Sequence, residues 1–394
     1  MQSRSLRITA YTLCSAVGDG TAATLAALRE RRSGLSKNDF GPSPIDTWIG
    51  RVPGLEEQPL PAEFANWDCR NNRLAWRGLA TDGFIEAARE ARDRYGADRV
   101  AVVMGTSTSS IGASEEAYTR LDPDGRYPAD LRRPIIHTPH SLGDFVQHAL
   151  GLTGMSVTVA TACSSSAKVF AQAERLIRTG LADAAIVGGV DSLCGSVLFG
   201  FNSLELVSSE QCRPFDVERR GINLGEAAGF ALLEKQAPGG AWLLGYGESN
   251  DAHHMSTPHP EGVGARLALN DALRRADLRP EDIDYINLHG TASQKNDEVE
   301  AKIVADLFPT ATCASSTKGW TGHTLGAAGI VEAAISLIAL EHQLLPGTLN
   351  LRVPDLACGP QIQRDNVERK ARHALSFSFG FGGSNCVLVF GRDR

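Results

Sequence analysis

Three short segments each hold a residue that acyl-transfer chemistry uses. Cys163 lies within residues 159–166, His289 within residues 287–291, and Lys318 and His323 bound residues 318–323. A cysteine thiolate can attack a carbonyl and hold the acyl group as a thioester, which splits one hard step into two. A neutral imidazole can donate a hydrogen bond to an oxyanion, and one well-aimed donor contributes about 3 kcal/mol to such a transition state. Taken singly, each residue has an ordinary reading. A cysteine among small residues packs as a small hydrophobe. A histidine in a turn makes local hydrogen bonds, and a lone lysine is a solvated charge.

The elements around these residues decide how they are presented. Residues 156–160 are β-rich and read as a strand. Residues 164–179 read as a helix, with Val169, Phe170, Ala173, Leu176 and Ile177 at helical spacing and Gly180 ending it. Cys163 then sits at a strand-to-helix turn, at the positive end of a helix dipole, which predicts a depressed thiol pKa. Residues 284–288 read as a second strand with His289 at its C-terminal end, where open α/β sheets place their chemistry. A helix opens near Asp297. His323 precedes an Ala-rich helix expected over residues 327–345, stopped by Pro346-Gly347. Residues 377–379 and 386–390 flank the glycine loop 380–383 as a hairpin. The Pro238-Gly239-Gly240 break divides two similar α/β halves, residues 1–239 and 240–394.

Composition bounds the partners. The chain has 394 residues and a net charge of −7, which argues against nucleic acid as the main partner. Eight cysteines without CxxC spacing argue against a disulfide framework or a zinc site. His253, His254 and His259 lack a second ligand cluster, so no metal is expected. The polar N-terminus, residues 1–7, and the short apolar run after it do not form a signal peptide, and no stretch is expected to span a membrane. A nucleophilic thiol fits a reducing, cytoplasmic setting.

In order and spacing, these segments resemble the elongating β-ketoacyl-acyl-carrier-protein synthases, the type I/II group of the thiolase superfamily. The resemblance is also carried by residues 17–20, 32–34, 105–107, 188–191, 212–216, 225–229, 251–255 and 379–385. It implies a thiolase-like five-layer α/β/α/β/α sandwich of two similar halves, acting as a homodimer or as a heterodimer with a ketosynthase-like partner. It implies a decarboxylative Claisen condensation of acyl and malonyl thioesters. Cys163 would carry the acyl group, His289 and His323 would stabilise the malonyl enolate, and Lys318 would organise the site with Glu332. Backbone N–H groups of Cys163 and Phe381 would bind the acyl carbonyl, on a loop hinged at Gly382. Thr291 and Ser293 would meet the phosphopantetheine arm, which arrives on acyl carrier protein, so no free cofactor is implied. Thr108 would limit acyl chain length, its hydroxyl favouring polarisable chains, and Phe381 would gate the pocket.

The pattern also departs from the family. Ala292 and Ser293 stand where Gly-Thr or Ser-Thr is common, Trp320 is bulkier than usual, Ala227 replaces a glycine, and Lys168 replaces a frequent histidine. No catalytic group is lost, and the departures suggest a side branch, a polyene or polyketide pathway. A thiolase would need a second catalytic cysteine near the C-terminal loop, and a type III initiating synthase would have Asn at position 323. A chain-length partner that only shapes another synthase's pocket would lack the nucleophile. Acyl carrier protein is acidic, and Arg70 and Arg73, with Arg77, offer a docking patch or else a solvated helix face.

Overall fold

The computed structural model describes residues 5–235 and 237–392; the first four residues of the expected polar N-terminus lie outside them. Ten strands form the backbone of the structure: β1 (Leu6–Ser15), β2 (Val100–Gly105), β3 (Ser156–Val159), β4 (Ala184–Asp191), β5 (Ala227–Glu234), β6 (Ala241–Asn250), β7 (Tyr285–Asn287), β8 (Cys313–Ser315), β9 (His373–Gly380) and β10 (Ser384–Gly391). They are ordered β8-β7-β9-β10-β6-β1-β5-β4-β2-β3. Strands β2, β4 and β5 are buried along their whole length and rich in Val, Ala and Leu, as strands covered on both faces must be. The two groups of five join where β1 pairs β6 over Leu6–Ile8 only.

The helices make the remaining layers. On the outer face of the β1–β5 group lie α1 (Arg70–Leu79), α2 (Phe84–Tyr95) and α3 (Ser141–Ala149). Between the two groups lie α4 (Ser165–Arg178) and α7 (Ala328–His342); α5 (Val263–Ala276) and α6 (Gln294–Leu307) cover the far side. This is the five-layer sandwich. Helices α4 and α7 cross closely because Gly329 lacks a side chain; a Cβ there would meet Ala167 N at 2.4 Å.

Two expectations change. Helix α7 ends at His342, three residues before the expected stop, because Gln343 turns left-handed (φ 56) and Leu344–Leu345 pairs as a strand with Val367–Glu368. The stretch Leu325–His342 does reach the length and apolarity of a membrane span, with mean hydropathy 1.5. It is 89% buried inside the protein, so its apolar surface serves the core.

Candidate active site

Cys163, His289 and His323 come from three different turns and meet in one place. The sulfur and one ring nitrogen of each histidine lie within 4.8 Å of one another, and all three residues are buried. Cys163 follows β3 and precedes α4, as the sequence predicts. The turn is held by its own hydroxyls: Ser165 Oγ accepts from Thr161 N–H at 2.9 Å, and Ser164 Oγ donates to Thr161 O at 2.9 Å. Ala162 sits at φ 51, a left-handed value that costs an alanine about 1–2 kcal/mol.

His289 ends β7. Glu300, in the second turn of α6, accepts from the backbone N–H groups of His289 (2.7 Å) and Gly290 (2.6 Å). Asp297 accepts from Ala292 N–H, and Ala292 is also left-handed at φ 67. His323 is clamped from both sides: its N–H donates to Asn223 O at 2.7 Å, and Gly225 N–H donates to its carbonyl at 3.0 Å. Lys318 pairs with Glu332 in the interior and also donates to the His289 carbonyl.

The hydrogen bonds fix where the imidazole protons sit. Leu325 N–H donates to His323 Nδ1 at 3.2 Å, so the proton of a neutral ring must be on Nε2, which lies 3.1 Å from Cys163 Sγ. Lys318 Nζ faces His289 Nδ1 at 3.4 Å; an ammonium has only donors, so Nδ1 accepts and Nε2 again carries the proton. Burial, with the Lys318 charge beside them, holds both histidines well below the usual imidazole range, and hence neutral. The trio has the spacing of a metal-binding set. Yet a metal needs the Nε2 lone pairs that these protons occupy, and Lys318 adds positive charge beside them. The arrangement is one of donors.

The thiol departs from expectation. Burial pushes Cys163 up to about 11, outweighing Lys318 and the Phe381 N–H, which lower it; Asp191 and Glu332 raise it further. The helix dipole alone predicts the opposite, but a fully desolvated sulfur loses more from leaving water than the dipole returns.

A cleft of about 590 Å³, mouth included, opens on these groups. Thr291, Ser293 and Phe381 line it, and the Thr291 and Ser293 hydroxyls face each other at 2.9 Å. Gly382 and Gly383 take left-handed φ values of 76 and 75, which lets the 380–383 loop turn tightly there. Phe381 rests against Phe201 with ring centroids 5.6 Å apart.

Two placements differ from the sequence reading. Thr108 lines a neighbouring hollow of about 680 Å³, mouth included, with Ile111, Ile136 and Ala160, outside the Cys163 cleft. Its hydroxyl donates to Asp191 at 2.7 Å, so the proton is not offered to a ligand. Arg70 and Arg73 are committed within the chain. Arg70 pairs with Glu226 and Glu56, and Arg73 with Asp68; their side chains are 17% and 23% exposed. Sequence reasoning missed Asp191, Glu300 and Asp297. Only the four-residue spacing of Asn296 and Glu300 on α6, whose side chains bond at 2.7 Å, carried a local signal.

Comparisons with known proteins agree with this geometry. Residues 72–238 match the N-terminal domain of β-ketoacyl synthases, and residues 241–352 match the C-terminal domain. The chain is 32% identical over 379 residues to 3-oxoacyl-[acyl-carrier-protein] synthase 2 of Staphylococcus aureus, covering 87% of this chain and 93% of that one. It is 39% identical over 262 residues to a mitochondrial 3-oxoacyl-[acyl-carrier-protein] synthase of Arabidopsis thaliana, covering 61% of this chain and 57% of the relative. A solved ketosynthase in complex with its chain length factor, from Xenorhabdus doucetiae, superposes with a TM-score of 0.86 at 35% identity, over 98% of both chains.

Proposed function

We propose that this chain, which belongs to the β-ketoacyl synthase family, condenses an acyl thioester with a malonyl thioester on acyl carrier protein, losing carbon dioxide and giving a 3-oxoacyl thioester. The observation that carries this reading is the pair of neutral histidines with occupied Nδ1 atoms beside Cys163. Cys163 Sγ attacks the acyl carbonyl, and its proton leaves with the departing carrier thiol. The Nε2–H groups of His289 and His323 then bind the malonyl thioester oxygen. As the carboxylate leaves as carbon dioxide, its bonding pair becomes an enolate on that oxygen. The enolate carbon attacks the acyl-Cys163 carbonyl, whose oxygen meets the N–H groups of Cys163 and Phe381. Collapse returns the thiolate. Two donors on one developing oxyanion contribute about 3 kcal/mol each.

In this reading residues 1–239 supply the nucleophile and residues 240–394 both histidines. Lys318 and Glu332 keep the His289 tautomer, and Thr291 and Ser293 hold the phosphopantetheine arm that the carrier brings. No other cofactor enters the scheme, and a nucleophilic thiol sets the reaction in a reducing cytoplasm. Among the described residues strand β3 is an open sheet edge, and such edges recruit a strand from another chain. The Thr108 hollow, which Ala160 reaches just beyond β3, would be closed by a second copy or a ketosynthase-like partner. The intact Cys163 site favours the catalytic role over the chain-length-determining one. Docking of the carrier on Arg70 and Arg73 remains part of the proposal, although Glu226, Glu56 and Asp68 already set three carboxylates against those two cations.

Intact-protein mass spectrometry after incubation with acyl carrier protein thioesters tests the scheme. The wild type should gain one acyl mass, and Cys163→Ala should gain none. Cys163→Gln, a rough mimic of the acylated residue, should still release carbon dioxide from malonyl carrier. An acyl adduct on the Ala variant would place the nucleophile elsewhere.

A further inference from the structure

We infer that Asp191 is a positioning residue that ties the Thr108 wall of the neighbouring hollow to the turn that sets the His323 proton. The inference rests on the condensation reading for what the two sides do. Asp191 ends β4 with no exposed surface, and among the described residues it has no ion pair. Its two oxygens instead collect donors from two separate turns. From the β2 side come the hydroxyls of Thr106, Ser107 and Thr108 and the backbone N–H groups of Ser107 (3.0 Å) and Thr108 (2.9 Å). From the His323 side comes Gly326 N–H at 2.6 Å, on Oδ2.

The Gly326 contact matters because of its neighbour. Leu325 is held at φ 57, a left-handed value no leucine adopts freely, and in that pose its N–H reaches His323 Nδ1. Asp191 pins the residue after it. There is no slack between the turns: a Cβ on Gly326 would sit 2.6 Å from both Asp191 Oδ2 and Ser107 N. A buried carboxylate without a counter-ion persists only when hydrogen bonds replace its water, and here those bonds span both turns. Any outward shift of the Thr108 wall therefore pulls on the bond that keeps the His323 proton on Nε2.

Asp191→Asn separates the two sides. The amide oxygen can serve the four donors on Oδ1, which leaves its NH2 facing Gly326 N–H, a donor that cannot reorient. Acylation of Cys163 and carbon dioxide release from malonyl carrier are measured separately. Release should fall at least tenfold more than acylation. The pH profile of Cys163 alkylation by iodoacetamide should also move to lower pH: burial raises that thiol most, Lys318 and the Phe381 N–H lower it, and the Asp191 charge, lost in the variant, adds to the rise. Equal losses in both half-reactions would mean a merely structural carboxylate and overturn the inference. Should Asp191→Asn not fold, Thr108→Val removes one donor to Asp191, and Ser107→Ala removes a donor together with a second acceptor of Gly326 N–H, both with little change in bulk. Each should lower release severalfold relative to acylation, and no such split in either would overturn it equally. A wild type that takes up no acyl group would refute the condensation reading instead. Imidazole 15N shifts need no turnover and would still decide the role of Asp191: Asp191→Asn should disturb the Nε2–H tautomer of His323, and an unchanged tautomer would overturn the inference.

Discussion

The turn that carries Cys163 and the turn that carries His289 occupy the same kind of place, the C-terminal end of a strand before a helix, and are anchored by different chemistry. Serine hydroxyls hold the first: Ser164 and Ser165 bond the backbone at Thr161 and Ala162. Carboxylates hold the second: Glu300 and Asp297 receive the N–H groups of His289, Gly290 and Ala292. Neutral anchors suit a residue that must become a thiolate, because a nearby anion would raise its pKa further. Around His289 the carboxylates face backbone donors and Asn296, while Lys318 faces the ring. The ring therefore stays a neutral donor. Both turns also store strain, with an alanine at positive φ.

The largest effects test the donor assignment on the His289 side. His289→Ala or His323→Ala should leave Cys163 able to take an acyl group, while carbon dioxide release drops about 100-fold or more for each lost donor. Release at the wild-type rate in either variant would remove the role. Lys318→Ala comes next. It frees His289 Nδ1 and strands Glu332 in the interior, where its Oε2 already lacks a partner. Breaking a buried pair from one side costs about 3–5 kcal/mol. Thermal unfolding should show that loss, and Lys318→Ala, Glu332→Ala together should recover part of it.

The carboxylate anchors should also show in the pH dependence of stability. Burial and the Asp297 charge push Glu300 up to about 8, and burial pushes Glu332 up to about 7, both above their unfolded values. Groups raised in this way contribute their stability below the unfolded pKa and lose it as pH rises through the folded one. The depressed histidines act the other way, but only below about pH 6.5. Between about pH 6.5 and 8 the acids dominate the site, so stability should fall with rising pH. Glu300→Gln should flatten that slope by up to about 1.4 kcal/mol per pH unit, one proton's worth. An unchanged slope would mean that Glu300 is already ionised throughout the window.

The sequence made the Cys163 turn, helix α4 and the β9–β10 hairpin legible because local patterns determine them: alternation, helical spacing and Gly180 at φ 77. It also brought Cys163, His289 and His323 into one site through the family pattern. What it hid depends on contacts between remote segments. The partner of Arg70 is Glu226, 156 residues away, and that of Tyr11 is Glu341, 330 away. Asp191 looks like the end of a Gly-Gly-Val-Asp strand until Gly326 reaches it from 135 residues on. The thiol pKa follows the same division: the dipole is local, whereas desolvation comes from the whole fold.

The smallest expected effect separates the two strained alanines. Ala292→Gly removes a Cβ from a left-handed residue in the carboxylate-held turn, where Asp297 fixes the N–H whatever the side chain. A left-handed alanine costs about 1–2 kcal/mol, and the freer unfolded glycine cancels about half of that. The variant should gain roughly 0.5–1 kcal/mol in denaturant unfolding and keep both half-reactions. Ala162→Gly relieves the same strain beside the nucleophile. There the side-chain anchors are hydroxyl rotors, beside a backbone bond from Ser165 N–H to Ala162 O at 3.1 Å, so the glycine should also let Cys163 wander, and acylation should slow severalfold while malonyl decarboxylation is spared. If both glycines behave alike, the hydroxyl and carboxylate anchors are equally stiff, and the contrast between the two turns lies in their charge alone.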